Sequence, residues 1–131
     1  MFIGQYHAVL DSGCGFVVPA SYVKALSAGS VSARQAIAVC RGSVCIHPQR
    51  SFDANVQTLH DACRTARIQA EKKEMSAQLR VLTGSAFAVS WDEAGRMTLP
   101  PEGVSPLGLT PGDRLILRGL GDCFELVKTA P

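Results

Sequence analysis

Apolar and polar positions partly alternate through "IGQYHAVLD", residues 3–11, and again through "SAFAVSWDE", residues 85–93. That period of two predicts a β-strand with one face covered. Each strand gives way to a turn and then to a short apolar run ended by proline, "GFVVP" at 15–19 and "RMTLP" at 96–100. Pro19 and Pro100 end these second strands because proline has no amide hydrogen for the ladder, and each suits the first turn of a helix. After Pro19, "ASYVKALSAG" predicts about two helical turns, with Val23 and Leu26 on one side and Gly29 as the stop. The matching stretch after Pro100, "PEGVSPLGL", holds Gly103, Pro106 and Gly108, so at most one turn is expected there. Two further apolar runs close each copy: "AIAVC" and "SVCIHP" in the first, "RLILRG" and "DCFELV" in the second. Pro111 and Gly112 in "LTPGDRL" form a turn before the third strand of the later copy.

The chain is thus an internal repeat, running from Phe2 to about His47 and again from Ser85 to about Val127. Between the copies, Val56, Leu59, Cys63, Ala66 and Ala70 recur at helical steps along one face. Met75, Leu79 and Leu82 continue the stripe after a one-step shift at the charged "EKKE", residues 71–74. This predicts either two helices or one long helix with a bend, capped at Ser51 and stopped at Gly84. Such an insert either covers the two units as packing or makes subunit contacts. The expected architecture is α+β, with a first unit over 1–50, a helical insert over 51–84 and a second unit over 85–131.

Composition narrows the function. At 131 residues and 47% hydrophobic the chain can bury a real core as one ordinary domain or two very small ones. No run approaches the roughly 20 apolar residues of a membrane span. Asp11 and the glycines at 4, 13 and 15 interrupt any secretory signal, so a cytoplasmic protein without a membrane partner is expected. Five cysteines at irregular spacing read as reduced thiols that serve as small buried hydrophobes. Cys45 and His47 share one strand face, but no third residue orients them as nucleophile and base. No paired Cys-x-x-Cys spacing marks a metal site. The expectation is therefore no enzyme, no cofactor, no metal and no small-molecule substrate. The excess of basic over acidic residues is only +2, so any basic surface must be local.

One motif is specific. Asp92, Gly95, Arg96 and Pro100 fit the pattern Asp-x-x-Gly-Arg-x-x-x-Pro without a gap, and the earlier copy keeps Asp11 and Pro19 of the same frame. With the opening "MFIGQYHAVLD", the endings "RGSVCIHP" and "RGLGDCFEL", and "RVLTGSAFAVSWDEAGRMTLP", the chain resembles the MraZ family of bacterial transcriptional regulators over nearly its whole length. The resemblance implies two tandem swapped-hairpin, AbrB-like (SpoVT-AbrB) barrel units and a ring of identical subunits. It implies motif arginines set against promoter double-stranded DNA that carries direct repeats, in the cell-division and cell-wall gene cluster, and hence a nucleoid-associated protein.

It also implies DNA contact at the motif turns, here Ala94, Gly95 and Arg96 with Gly13 and Gly15 of the first copy, and turn-shaping roles for Asp11, Asp92, Pro19 and Pro100. The first copy departs from the pattern: Cys14 stands at the motif glycine and Gly15 at the arginine. Gly13 is expected to supply the positive backbone angle that the turn needs. On spacing alone Arg96 is a solvated cation or a partner of Asp92 or Glu93; the resemblance sets it against DNA, where a planar guanidinium can grip a phosphate or guanine in two places. The matched pairs Arg34/Arg114 and Arg41/Arg118 are expected to pair with carboxylates across the barrel. The rival reading is a ring-forming protein-interaction module that has lost most of its DNA affinity.

Overall fold

The computed structural model describes residues 1–30 and 34–129; Ala130 and Pro131, the end of the expected second unit, lie outside the described residues. The fold is α+β. The first repeat forms β1 (Gln5–Val9), β2 (Gly15–Val17), α1 (Ala20–Ala28), β3 (Gln35–Cys40) and β4 (Val44–Pro48). Two helices follow, α2 (Gln49–Thr65) and α3 (Gln69–Gly84). The second repeat forms β5 (Ala86–Ser90), β6 (Arg96–Thr98), α4 (Pro101–Leu107), β7 (Arg114–Gly119) and β8 (Phe124–Lys128).

The strands of the two repeats interleave. A six-stranded antiparallel sheet runs β1-β7-β8-β4-β3-β5, and β2 pairs with β6 as a separate two-stranded ribbon. Only the β3–β4 and β7–β8 hairpins pair within one repeat. The two repeats therefore share one core, in which Phe16, Tyr22, Leu26, Ile46 and Val44 pack with Met97, Trp91, Leu115, Leu117, Phe124 and Leu126. The physical reason is size: β2 and β6 are three residues each, and one repeat has too little apolar surface to close a core alone.

Local chemistry explains several departures from expectation. Tyr22 rather than Val23 is the buried partner of Leu26 on α1. Its ring packs among Phe2, Tyr6 and Phe124, and its hydroxyl donates to the Gly4 carbonyl at 2.8 Å. Helix α4 spans Pro101–Leu107, longer than the expected single turn. Gly103 does not break this helix. It lies where α4 packs against β3 and β4, its Cβ direction facing Cys40 Sγ and Val44 Cγ2 at contact distance. Gly108 ends α4 in the left-handed region.

The insert breaks at residues 66–68, ahead of "EKKE", and α2 starts at Gln49 from Pro48 rather than at Ser51. The two helices pack on each other, with Cys63 Sγ 3.0 Å from Ser76 Oγ, yet neither buries a residue fully. Among the described residues no helix is long and apolar enough to cross a membrane.

Candidate nucleic-acid interface

Pairing of β2 with β6 brings the two motif turns together on one two-stranded ribbon. In register, Phe16 meets Met97, and both are buried. Alternation then turns Gly15, Val17, Arg96 and Thr98 to the other face of the ribbon. The turns are matched in detail. Asp11 Oδ1 accepts from Gly13 N at 2.9 Å and Gly15 N at 3.0 Å, and Asp92 Oδ1 accepts from Ala94 N and Arg96 N, both at 2.9 Å. Each turn also binds the other: Val18 N donates to Gly95 O, and Leu99 N donates to Cys14 O. Pro19 and Pro100 follow as the N-caps of α1 and α4, and their carbonyls accept from the first free amides of those helices.

One expectation about the first turn is corrected. The positive backbone angle falls at Cys14, with φ 60°, and not at Gly13; its counterpart is Gly95 with φ 80°. Position in the turn dictates the angle, so the residue aligned with the motif glycine adopts it whatever its side chain. A residue with a Cβ is held there at about 1–2 kcal/mol.

The two turns differ in charge. Arg96 reaches across the ribbon to Asp11 of the other repeat, with Nε 2.6 Å from Oδ2 and Nη2 2.8 Å from Oδ1, while Nη1 donates to Thr98 Oγ1 at 3.1 Å. This bidentate pair holds Asp11 well below the usual carboxylate range, with the Gly15 and Gly13 amides adding to the effect, and raises Arg96. Arg96 keeps 36% of its side-chain surface open and Asp11 43%, so the pair lies at the surface. Among the described residues Asp92 forms no ion pair, and Glu93 pairs instead with Arg34 at 3.7 Å. Asp11 as the partner of Arg96 is not legible from spacing within either copy. The available signal is the repeat itself, since matched turns facing each other set each aspartate beside the other turn's arginine position.

The remaining expected residues fall into place around this pair. Gly13 and Ala94 are exposed at the two turns, whereas Gly95 is buried near the Val18 carbonyl and Gly15 is buried beneath Arg96. Arg118 pairs with Glu125, its direct register partner in the β7–β8 hairpin rather than a carboxylate across a barrel, and no ion pair involves Arg41 or Arg114 among the described residues. Among the described residues none of the five cysteines forms a disulfide. Cys45 lies beside Cys123, whose thiol holds it below the ordinary thiol range, and burial pushes His47 down. Among the described residues no group of three or more His, Cys, Asp or Glu is arranged to hold a metal ion.

No family model matches the chain. A relative in Leifsonia xyli subsp. xyli, named transcriptional regulator MraZ, is 32% identical over 127 residues, which is 96% of this chain and 80% of that protein. The chain belongs to the MraZ family. As a MraZ-family chain it keeps the full Asp-x-x-Gly-Arg-x-x-x-Pro frame only at Asp92–Pro100, and the cross-ribbon pair joins that copy's arginine to the aspartate of the divergent copy.

Proposed function

We propose that this MraZ-family chain is a DNA-binding transcriptional regulator that acts as a ring homo-oligomer on promoter direct repeats of the cell-division and cell-wall gene cluster. It works in the cytoplasm at the nucleoid, without enzymatic activity or cofactor. Its two repeats act as swapped-hairpin halves that set both motif turns on one DNA-facing end. The observation that carries this reading is a guanidinium at the surface of a β-ribbon, anchored on one edge and open to solvent on another. A ribbon face of this kind fits a groove, and its exposed turn residues Gly13 and Ala94 flank the cation. Gly95 and Gly15 contribute shape, as a tight turn and a close approach.

One arginine discriminates a base roughly 5- to 150-fold, which is short of promoter specificity. A ring supplies the number, because linked weak contacts multiply when the DNA repeats match the spacing of the tips. The α2–α3 hairpin, with no fully buried residue, offers a surface for subunit contacts. The engagement of Arg96 by Asp11 favours a second reading, a ring-forming interaction module with little DNA affinity. A mobility shift with the DNA upstream of the chain's own gene, run with a mass measurement of the purified assembly, separates the two. A shift that survives competitor DNA and a mass several times that of the subunit are expected; a stable ring that shifts nothing favours the module, and a monomer removes the ring.

A further inference from the structure

Gly15 stands where the repeated motif has arginine, and Arg96 occupies the space this leaves. A Cβ on Gly15 would lie 2.5 Å from Arg96 Cζ and Nη2 and 2.7 Å from Nε, and one on Gly13 would lie 2.7 Å from Nη2. These are far inside the roughly 3.5–4.0 Å of a favourable contact. Neither glycine has a positive φ, so the guanidinium above them, and not the backbone, is what demands the missing side chains. The same two residues donate their amides to Asp11 Oδ1, which fixes the carboxylate edge against Nε and Nη2. The first turn is thus a fitted recess for a planar cation.

The donors of Arg96 can be counted. A guanidinium has five N–H bonds. The Nε hydrogen and one on Nη2 go to Asp11, and one on Nη1 goes to Thr98 Oγ1. Two remain, one on each Nη nitrogen, and such a pair can grip a phosphate or the O6/N7 edge of guanine together. An unheld arginine would lose side-chain entropy on binding, whereas one already pinned along its other edge has less to lose.

We infer that Asp11, Gly13 and Gly15 form a seat that positions Arg96, which fills the clearance left where the first copy lacks its arginine. Asp11 is a positioning residue for the DNA contact, and Gly15 is the clearance that lets it act. This assignment rests on the DNA-binding reading above. The opposite role, a carboxylate that silences Arg96, makes the opposite prediction.

Gly15→Ala tests the seat without changing any charge, because the atoms nearest the new methyl all belong to the flexible end of Arg96, which it evicts. Asp11→Asn is the second variant; its remaining amide oxygen still accepts from Gly13 and Gly15. Two readouts are taken. One is the ratio of affinities for the chain's own upstream duplex and a scrambled duplex of equal length and composition, at one salt concentration. The other is the Arg96 Nε–H signal of the DNA-free protein by NMR. A slowly exchanging signal in the wild type is expected, absent in both variants, with the affinity ratio falling roughly 5- to 150-fold per engaged tip. An unchanged or higher ratio in both variants, or a wild-type Nε–H that exchanges as fast as theirs, overturns the seat alone. A wild type that does not distinguish the two duplexes overturns the DNA-binding reading, and the seat's role with it.

Discussion

The matched turns make the same demand, a positive φ, on two different residues, Cys14 and Gly95, and this is open to measurement. Gly95 has φ 80°, and a Cβ there would lie 3.2 Å from the Val18 carbonyl oxygen and 3.5 Å from Val23 Cγ2. Gly95→Ala therefore puts a side chain in the left-handed region, at about 1–2 kcal/mol, and crowds a backbone oxygen, at about 1 kcal/mol. Stiffening of the unfolded chain returns about 0.4–1 kcal/mol, which leaves a net loss of about 2 kcal/mol. At about 2.1 cal/mol/K per residue over 131 residues, that lowers Tm by about 7 °C. Cys14 already carries a Cβ at φ 60°. Cys14→Gly releases the same strain of about 1–2 kcal/mol but gives up about 0.5–1 kcal/mol of unfolded-state restraint and some thiol packing, so Tm stays level or rises by up to about 4 °C. Cys14→Ala keeps the strain and serves as the control. Circular-dichroism melts at one fixed protein concentration are the assay, since self-association makes Tm concentration-dependent. A Gly95→Ala melt within about 1 °C of wild type, or a Cys14→Gly protein as destabilised as Gly95→Ala, would refute the turn assignment.

Two further outcomes follow from the same geometry. The Arg96 hydrogen bonds depress the Asp11 carboxyl below its ordinary range, so its contribution is complete above the unfolded-state value of about 4 and is lost as acid reaches the folded-state value. The stability difference between wild type and Asp11→Asn should be constant from about pH 8 to pH 5 and should shrink only below that; a difference that varies between about pH 8 and pH 6 contradicts the pairing. A Cβ on Gly119 would lie 2.4 Å from the Phe2 carbonyl oxygen, next to the Gly119 N to Gly4 O and Phe2 N to Gly121 O bonds. Gly119→Ala is expected to cost about 3 kcal/mol and to expose the Phe2 and Gly121 amides to hydrogen exchange; protection equal to wild type would show that the N-terminal segment does not lie against β7.

Much of this fold can be read in the chain because the repeat is written in local chemistry. Alternation marks β1 and β5, Pro19 and Pro100 mark where the short strands end, and the helical spacing from Val56 to Cys63 marks α2. The pairing of β1 with β7 and of β3 with β5 is not local, and nothing within one repeat distinguishes a strand that pairs inside its own copy from one that pairs with the other. The same limit hides the partner of Arg96. Asp92 and Glu93 are its neighbours in sequence, but the ribbon sets Asp11 beside it. Gly103 misleads for a related reason: its helix propensity is poor, yet tertiary packing of α4 against β3 outweighs it. Cys14 shows that a turn's geometry can outweigh a residue's preference when both flanking strands are fixed.

A direct meeting of Arg96 with DNA is tested by comparing wild type with Arg96→Ala for binding to the chain's own upstream duplex across a salt series. Affinity for that duplex is predicted to fall roughly 5- to 150-fold per engaged tip, and the salt slope to become shallower by about one for each phosphate that is no longer neutralised. Equal affinity and an equal slope for the two proteins would contradict a role for this arginine at the DNA.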